Sequence, residues 1–186
     1  EDYTIEFDVL SSGIDKQTSS SARLQITLED NNMFKTGNNN ARLSIPFCQY
    51  IVTTIGVRNK LNNQNTINSS IKADLRKEVL NKPHISIAVN KQRLRLWVNE
   101  KKYVDIPRMI GEGSPMKAIK FSLTSFKDEK ENIFIKNLKV AEGGVDLRRK
   151  LMSEGKISTN GILFDSGSDK IQPQSYGIIR QISQVL

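Results

Sequence analysis

At 186 residues the chain has room for one ordinary domain plus an appendage, enough to bury a sizeable core. Hydrophobic residues at 37 % and charged residues at 26 % exclude a disordered composition, and no apolar run approaches the roughly 18 residues of a membrane-spanning helix. The formal charge of +8 admits anionic partners, but lysines and arginines are scattered in short pairs such as Lys101-Lys102 and Arg148-Arg149, which excludes nucleic acid as a specific partner.

The chain opens on EDYTIEFDVL, with neither an initiator Met nor a signal peptide, as a processed or excised fragment would. Residues 3–10 alternate, with Ile5, Phe7 and Val9 on one face, and residues 22–29 repeat the pattern through Leu24, Ile26 and Leu28. The Asn-rich EDNNMFKTGNNN that follows is a connection, and its Asp30-Asn31-Asn32 cluster is turn chemistry in preference to a calcium site. Strands are expected at residues 41–45 and 50–57. Cys48 lies between them in IPFCQYIV; a single cysteine excludes an internal disulfide and reads here as a buried thiol. KLNNQNTINSS is a second polar connection, in which Asn68-Ser69-Ser70 matches a glycosylation sequon of the kind that often arises by chance. Residues 71–80, IKADLRKEVL, predict a short helix ending before Asn81-Lys82-Pro83.

Further strands are expected at residues 84–90, 93–98, 102–106, 117–126 and 132–140. The one histidine, His84, has no second His or Cys with which to share a metal and is assigned a structural role. No metal and no cofactor is implied. So many alternating strands predict a mainly β protein built as an antiparallel β-sandwich.

The segment HISIAVNKQRLRLWVNEKKYVDIP is the most informative. Leu94, Leu96 and Val98 share one face of their strand, and Arg93, Arg95 and Trp97 the other. A three-residue turn at Asn99-Glu100-Lys101 sets Leu96 opposite Val104, Leu94 opposite Ile106, Trp97 opposite Tyr103 and Arg95 opposite Asp105. A two-residue turn would oppose Leu96 to Tyr103 and Leu94 to Asp105, mixing the faces, so the three-residue turn is expected. The polar face then presents Trp97, Tyr103, Arg93, Arg95 and Asp105. An aromatic pair flanked by hydrogen-bonding groups suits a sugar ring, which has one apolar side and a rim of hydroxyls. The plainer alternative, and the one ordinary sheet composition favours, is cross-strand pairing at roughly 0.2–1 kcal/mol per pair.

YTIEFDVL, then KPHISIAVNKQRLRLWVNEKKYVDIP, then IFIKNLKVAEGG resemble the concanavalin A-like lectin/glucanase jelly roll over residues 1–142. The resemblance implies two curved antiparallel sheets, with a concave face that in some members binds glycans. In the hydrolytic members a strand presents Glu-x-Asp-x-x-Glu. Here Glu6-Phe7-Asp8 supplies two acids and the third position is Ser11, so the acid/base pair of glycoside hydrolysis is incomplete and no enzyme is expected.

After residue 142 the character changes. Residues 145–156 predict a short linker helix within a 143–156 linker, and ISTNGILF reads as a strand. Pro173 then opens a helix whose Ile178, Ile179, Ile182, Val185 and Leu186 form one apolar stripe. This helix–strand–helix appendage cannot bury its own apolar face, so the sandwich or a neighbouring chain must cover it. Residues 157–186 resemble the start of an OmpA-like peptidoglycan-associated domain through Phe164-Asp165, Gly167-Ser168, Ile171 and Pro173. That family's Thr-Asp and Asn-x-x-Leu-Ser-x-x-Arg motifs are absent from this sequence, so no peptidoglycan ligand carries over.

The leading expectation is a non-catalytic interaction or spacer module of an OmpA family protein in the cell envelope, on the periplasmic side of the outer membrane. Peptidoglycan would be reached only through the remainder of the C-terminal domain. The alternative is a carbohydrate-binding module using the Trp97/Tyr103 face, with a glycosidase as the least favoured reading. The partners implied are a glycan or an envelope protein, and a second copy of the chain through the tail.

Overall fold

The computed structural model describes residues 2–99, 101–142, 155–156, 158–159 and 161–183. Its strands are β1 (Asp2–Ser12), β2 (Arg23–Glu29), β3 (Asn40–Pro46), β4 (Thr54–Leu61) and β5 (Gln64–Lys72), then β6 (His84–Asn90), β7 (Arg93–Val98), β8 (Lys101–Ile106), β9 (Ala118–Thr124) and β10 (Asn132–Glu142). They form two five-stranded sheets, a β1 sheet ordered β10-β1-β6-β7-β8 and a β3 sheet ordered β5-β4-β3-β2-β9. Every named pairing is antiparallel.

Period-two alternation builds the sandwich directly. Ile5, Phe7 and Val9 of β1, with Ile85, Ile87 and Val89 of β6 and Leu94, Leu96 and Val98 of β7, line the inner side of the β1 sheet, all buried. Leu24, Ile26 and Leu28 of β2, Leu43 and Ile45 of β3, and Ile55 and Val57 of β4 answer them from the β3 sheet. Each such side chain contributes about 1.5–3 kcal/mol on burial. Phe7 meets Phe121 edge to face with ring centroids 5.1 Å apart, a contact that joins the two sheets. Cys48 is buried and free, as its apolar neighbours imply.

Two expected elements are corrected. The polar segment read as a connection holds the end of β4 and most of β5, joined by a tight turn in which Asn62 and Asn63 take φ of 49° and 65°. Asn accepts that left-handed backbone readily, so the Asn pair makes a hairpin where its polarity suggested a loop. The helix expected over residues 71–80 is replaced by the end of β5 and a 3₁₀ turn at Glu78–Leu80, because Ile71 pairs with Ile55 across the sheet. The strand expected at residues 50–57 begins only at Thr54.

Beyond the sandwich, Phe164 and Ile171 form one antiparallel bridge where a full strand was expected. A 3₁₀ turn at Pro173–Ser175 then leads into helix α1 (Tyr176–Ser183). The linker helix expected at residues 145–156 falls, apart from its last two positions, outside the described residues.

Asn59 shows how the β3 sheet is tied to its surroundings. It occupies an inward position of β4 and is fully buried. Its Nδ2 donates to the Met109 carbonyl at 3.1 Å, and its Oδ1 accepts from Thr66 Oγ1 at 2.8 Å and from the Ile67 N–H at 2.7 Å. Asn59→Ala strands these groups in the core, so denaturant titration should register a loss of about 1–3 kcal/mol. A loss below about 0.5 kcal/mol, the range of an indifferent surface change, would show that the amide is no anchor.

Candidate functional site

A sandwich presents two outer faces, and here they differ in kind. On the β1 sheet the outward positions are Glu6 and Asp8 of β1, His84 and Ser86 of β6, and Arg95 and Trp97 of β7. Asp8 Oδ1 lies 2.7 Å from His84 Nδ1, and its other oxygen accepts from Asn137 Nδ2 at 2.7 Å. Asn137 adopts φ of 54° where the β1–β10 register shifts between Glu6 and Asp8. Ser86 Oγ donates to Glu6 Oε1 at 3.3 Å, and Glu6 Oε2 lies 4.0 Å from His84 Nε2. The two acids singled out in the sequence are thus engaged in a half-buried polar network over a cavity of about 180 Å³. Ser11, at the position of the missing third carboxylate, donates to the Val79 carbonyl. Among the described residues, no group of three or more metal-ligating side chains converges.

The hairpin keeps its expected register as far as Leu94 opposite Ile106, Arg95 opposite Asp105 and Leu96 opposite Val104, and then shifts. Trp97 faces Lys102 and Val98 faces Lys101, which leaves a two-residue turn opened by Asn99 at φ 54°. Both constraints are met at once. The left-handed Asn favours the tight turn, and a bulge at Tyr103 absorbs the extra residue so that the leucines stay inside. The Trp97/Tyr103 pair is therefore not formed. Tyr103 packs against the core, with Lys101 Nζ 5.0 Å from its ring centroid.

The remaining residues of that expected site are drawn together differently. Arg93 grips Asp105 with two nitrogens at 2.7 and 2.9 Å, and Lys102 Nζ adds a third bond at 2.8 Å. The Arg93 hydrogen bonds, with Lys102 beside them, hold the Asp105 carboxyl at about 2 against an ordinary 3.8. Arg95 donates to Asn90 Oδ1, and its guanidinium lies 5.7 Å from the Trp97 ring centroid.

Trp97 itself is only 6 % exposed. Helix α1 lies over it, with the Arg180 guanidinium 4.6 Å from the ring centroid, an N–H to the Asn99 carbonyl at 3.2 Å, and Glu6 Oε1 at 4.0 Å. The helix comes so close that a Cβ on Gly177 would lie 2.1 Å from Glu6 Oε1. The tail thus takes the aromatic surface that the sequence offered to a sugar.

The outer face of the β3 sheet is open along β4 and β5, where Arg58 and Asn68 are exposed, while Thr27, Glu29 and Asn40 toward β2 are buried. Its pairings set Lys120, Thr27, Arg42, Arg58 and Asn68 side by side in one row across all five strands. The next row is Ser122, Gln25, Ser44, Gly56 and Ser70. On the other side Asn40 stands between Glu29 and Lys60. Arg42 Nε donates to Thr27 Oγ1 at 3.3 Å and Arg58 Nε to Asn68 Oδ1 at 2.9 Å. A groove of about 220 Å³ runs past Asn40, Arg42, Arg58, Lys60 and Asn68. This face escaped the sequence reading because β5 was taken for a connection, which removed an edge from the sheet. The period-two polar positions Arg58 and Lys60, continued by Asn68 and Ser70 beyond the Asn-Asn turn, were the signal available.

No known family model and no curated protein matches the sequence. Among solved structures, the chain is similar to a legume lectin-like domain from Entamoeba histolytica, with a TM-score of 0.53 and 13 % identity over 77 % of this chain and 73 % of that one. It is also similar to a tetrameric galectin from a Cinachyrella ball sponge, with a TM-score of 0.51 and 10 % identity over 75 % of this chain and 91 % of that one. At such identities the likeness is one of fold. The protein is a lectin-type β-sandwich. More particularly, it has the concanavalin A-like jelly-roll fold.

Two measurements test the β1-sheet face. Trp97 is the chain's one tryptophan, so its fluorescence reports this surface alone. Arg180→Ala should shift the emission to the red and raise quenching by acrylamide; an unchanged spectrum would show that α1 does not cover the ring. Separately, Arg93→Gln should let the Asp105 carboxyl, held at about 2, titrate nearer 3.8 by NMR. Because folding depresses this pKa, the pair's contribution is complete above about pH 4 and is lost as pH falls through about 2.

Proposed function

We propose that the chain is a non-catalytic carbohydrate-binding module whose ligand lies across the outer face of the β3 sheet. The carrying observation is the asymmetry of the two faces. In the row from Lys120 to Asn68, Arg58 and Asn68 are exposed and Lys120 and Arg42 half-buried, while α1 occupies the surface around Trp97. Sugar hydroxyls are both donors and acceptors; Ser44 and Asn68 offer both in return, and Asn40 lines the groove from beneath. Gly56 faces outward in mid-sheet opposite Ser44, where a Cβ would stand 3.3 Å from Ser44 Cβ, so a side chain there presses on Ser44 and fills the face. Hydrogen bonding across a shallow face, not aromatic stacking, is the recognition mode of this reading. The lectin-like fold supports it.

A glycan array followed by calorimetry on the hits is the direct test. Gly56→Thr raises local strand propensity and should leave the fold intact while blocking the face. Affinity for the array's best glycan should fall at least about tenfold, equivalent to ~1.4 kcal/mol. An array with no saturable ligand would end the proposal.

One observation favours a second reading, in which residues 157–186 open an OmpA-like unit and the sandwich is a spacer in the cell envelope. The Phe164–Ile171 bridge, closed by Asp165 N–H to the Lys170 carbonyl and Gln172 N–H to the Leu163 carbonyl, leads through Pro173 into α1. Leu163 and Phe164 remain 43 % and 52 % exposed, as they would in a segment made for another unit. On this reading, deleting residues 157–186 leaves the thermal midpoint of the sandwich unchanged. A drop of several degrees, about 1 kcal/mol for a domain of this size, would assign the segment to the sandwich instead.

A further inference from the structure

We infer that the β3-sheet face selects glycans that carry anionic groups, carboxylate or sulfate, and that Arg42 and Arg58 are the residues that hold the anion; this rests on the carbohydrate-binding reading. The β3–β4 register places Arg42 directly opposite Arg58. Directly opposed residues have Cβ atoms about 4.5–5.5 Å apart, and like charges in that relation destabilise a sheet. Both side chains stand on the outer face, because their neighbours Leu43, Val57 and Asn59 point inward and are buried.

Two other arginines, Arg93 and Arg76, show what these two lack. Arg93 holds Asp105 through two nitrogens, and Arg76 holds Asp74 in the same way. Arg42 and Arg58 instead each lean one Nε on a neutral neighbour, Thr27 and Asn68. That contact fixes the plane of each guanidinium and leaves its terminal nitrogens as a planar fork, the geometry that receives a carboxylate or a tetrahedral oxyanion in two parallel bonds. Lys120 ends the same row and Lys60 flanks it one pair further along β4.

The carboxylate on this side of the sheet is Glu29, which is only 2 % exposed. It accepts from the Gly37 N–H at 2.7 Å and has Lys120 Nζ at 3.9 Å, so it is turned to its own loop and does not neutralise the arginines. Asn40, Asn68 and Ser44 supply hydroxyl partners around the cationic pair. A polyhydroxylated ligand with an acidic substituent satisfies both sets of groups at once. A neutral sugar would leave the terminal nitrogens of both guanidinium groups without an anionic partner.

The test uses the full chain and three oligosaccharides of equal length: an uncharged galactan, an oligogalacturonate carrying carboxylates, and a sulfated galactan. At least one anionic oligomer should bind about tenfold or more tightly than the uncharged one, with affinity falling steeply as salt rises. Which of the two wins identifies the anion. Arg42→Gln/Arg58→Gln should abolish that preference with its thermal midpoint unchanged or raised, since a repulsive pair has been removed. Lys91→Gln/Lys101→Gln removes the same charge away from this face and should keep the preference.

Equal binding of charged and uncharged oligomers, with the arginine double variant unaffected, would overturn the inference while leaving the carbohydrate-binding module in place. Equal loss in the lysine control would overturn it as bulk electrostatics. Polyglutamate or single-stranded DNA bound as tightly as the acidic glycan would overturn it in favour of anionic polymers at large. Failure of all three oligosaccharides would remove the parent reading with it.

Discussion

Each described strand sends alternate side chains to opposite sides, and in the core strands β1, β2, β4, β6 and β7 the apolar set goes inward. With Ile5, Phe7 and Val9 pinned inward on β1 and Leu24, Ile26 and Leu28 pinned inward on β2, the positions between them have no choice. Glu6 and Asp8 must face out on one side of the sandwich, and Gln25, Thr27 and Glu29 on the other. The constraint is strong because a slip of one residue would exchange core for surface along a whole strand. The β7–β8 hairpin shows its strength. The turn shortens to two residues and the strand bulges at Tyr103, yet Leu94 and Leu96 keep the partners that the core demands. Every feature of functional interest is a consequence of what that rule leaves outside.

The two outer faces have met this constraint in opposite ways. On the β1 sheet the polar residues are turned on one another and on the tail: Asp8 with His84 and Asn137, Glu6 with Ser86 and Arg180, Trp97 beneath the same arginine. An aromatic ring that is 6 % exposed is a structural element whatever its sequence context suggests. On the β3 sheet the outward side chains bond mostly to their immediate cross-strand neighbours and keep further valences free toward solvent. A face of that kind is less stable than a self-satisfied one.

Much of the fold was legible because the core strands are apolar on alternate positions. Residues 3–10, 22–29, 84–90 and 93–98 can be read by eye, and the strands lie there with ends moved by two or three residues at most. What escaped was β5, in which Ile67 and Ile71 are the apolar residues and only partly buried, so the inward signal is weak. Losing β5 lost the β3-sheet face, and attention settled on Trp97 because an aromatic stands out in a sequence. Burial by a helix some eighty residues away cannot be read from local pattern; it depends on Gly177 and Arg180 arriving at Glu6 and Trp97 together. The apolar stripe of that helix was legible, and so was its need for cover.

Arginine makes the same point about what a linear sequence conceals. Arg93 and Arg42 each sit in a short alternating strand, and nothing adjacent tells them apart. Folding gives Arg93 a carboxylate twelve positions on, which it binds through two bonds, and gives Arg42 another arginine. Like charges on directly opposed positions cost a sheet stability, and each guanidinium here turns to its own flank, Arg42 to Thr27 and Arg58 to Asn68. A sheet indifferent to ligands has no use for that cost at its centre, where Thr, Ser or Gln would pair without penalty, as they do in the neighbouring row. On the anionic-glycan proposal that cost is also differential: it would be offset only when an anion bonds the terminal nitrogens of the two groups. The cost would then count toward the affinity for an acidic ligand and not toward that for a neutral one, which is how a shallow polar face can discriminate without a deep pocket.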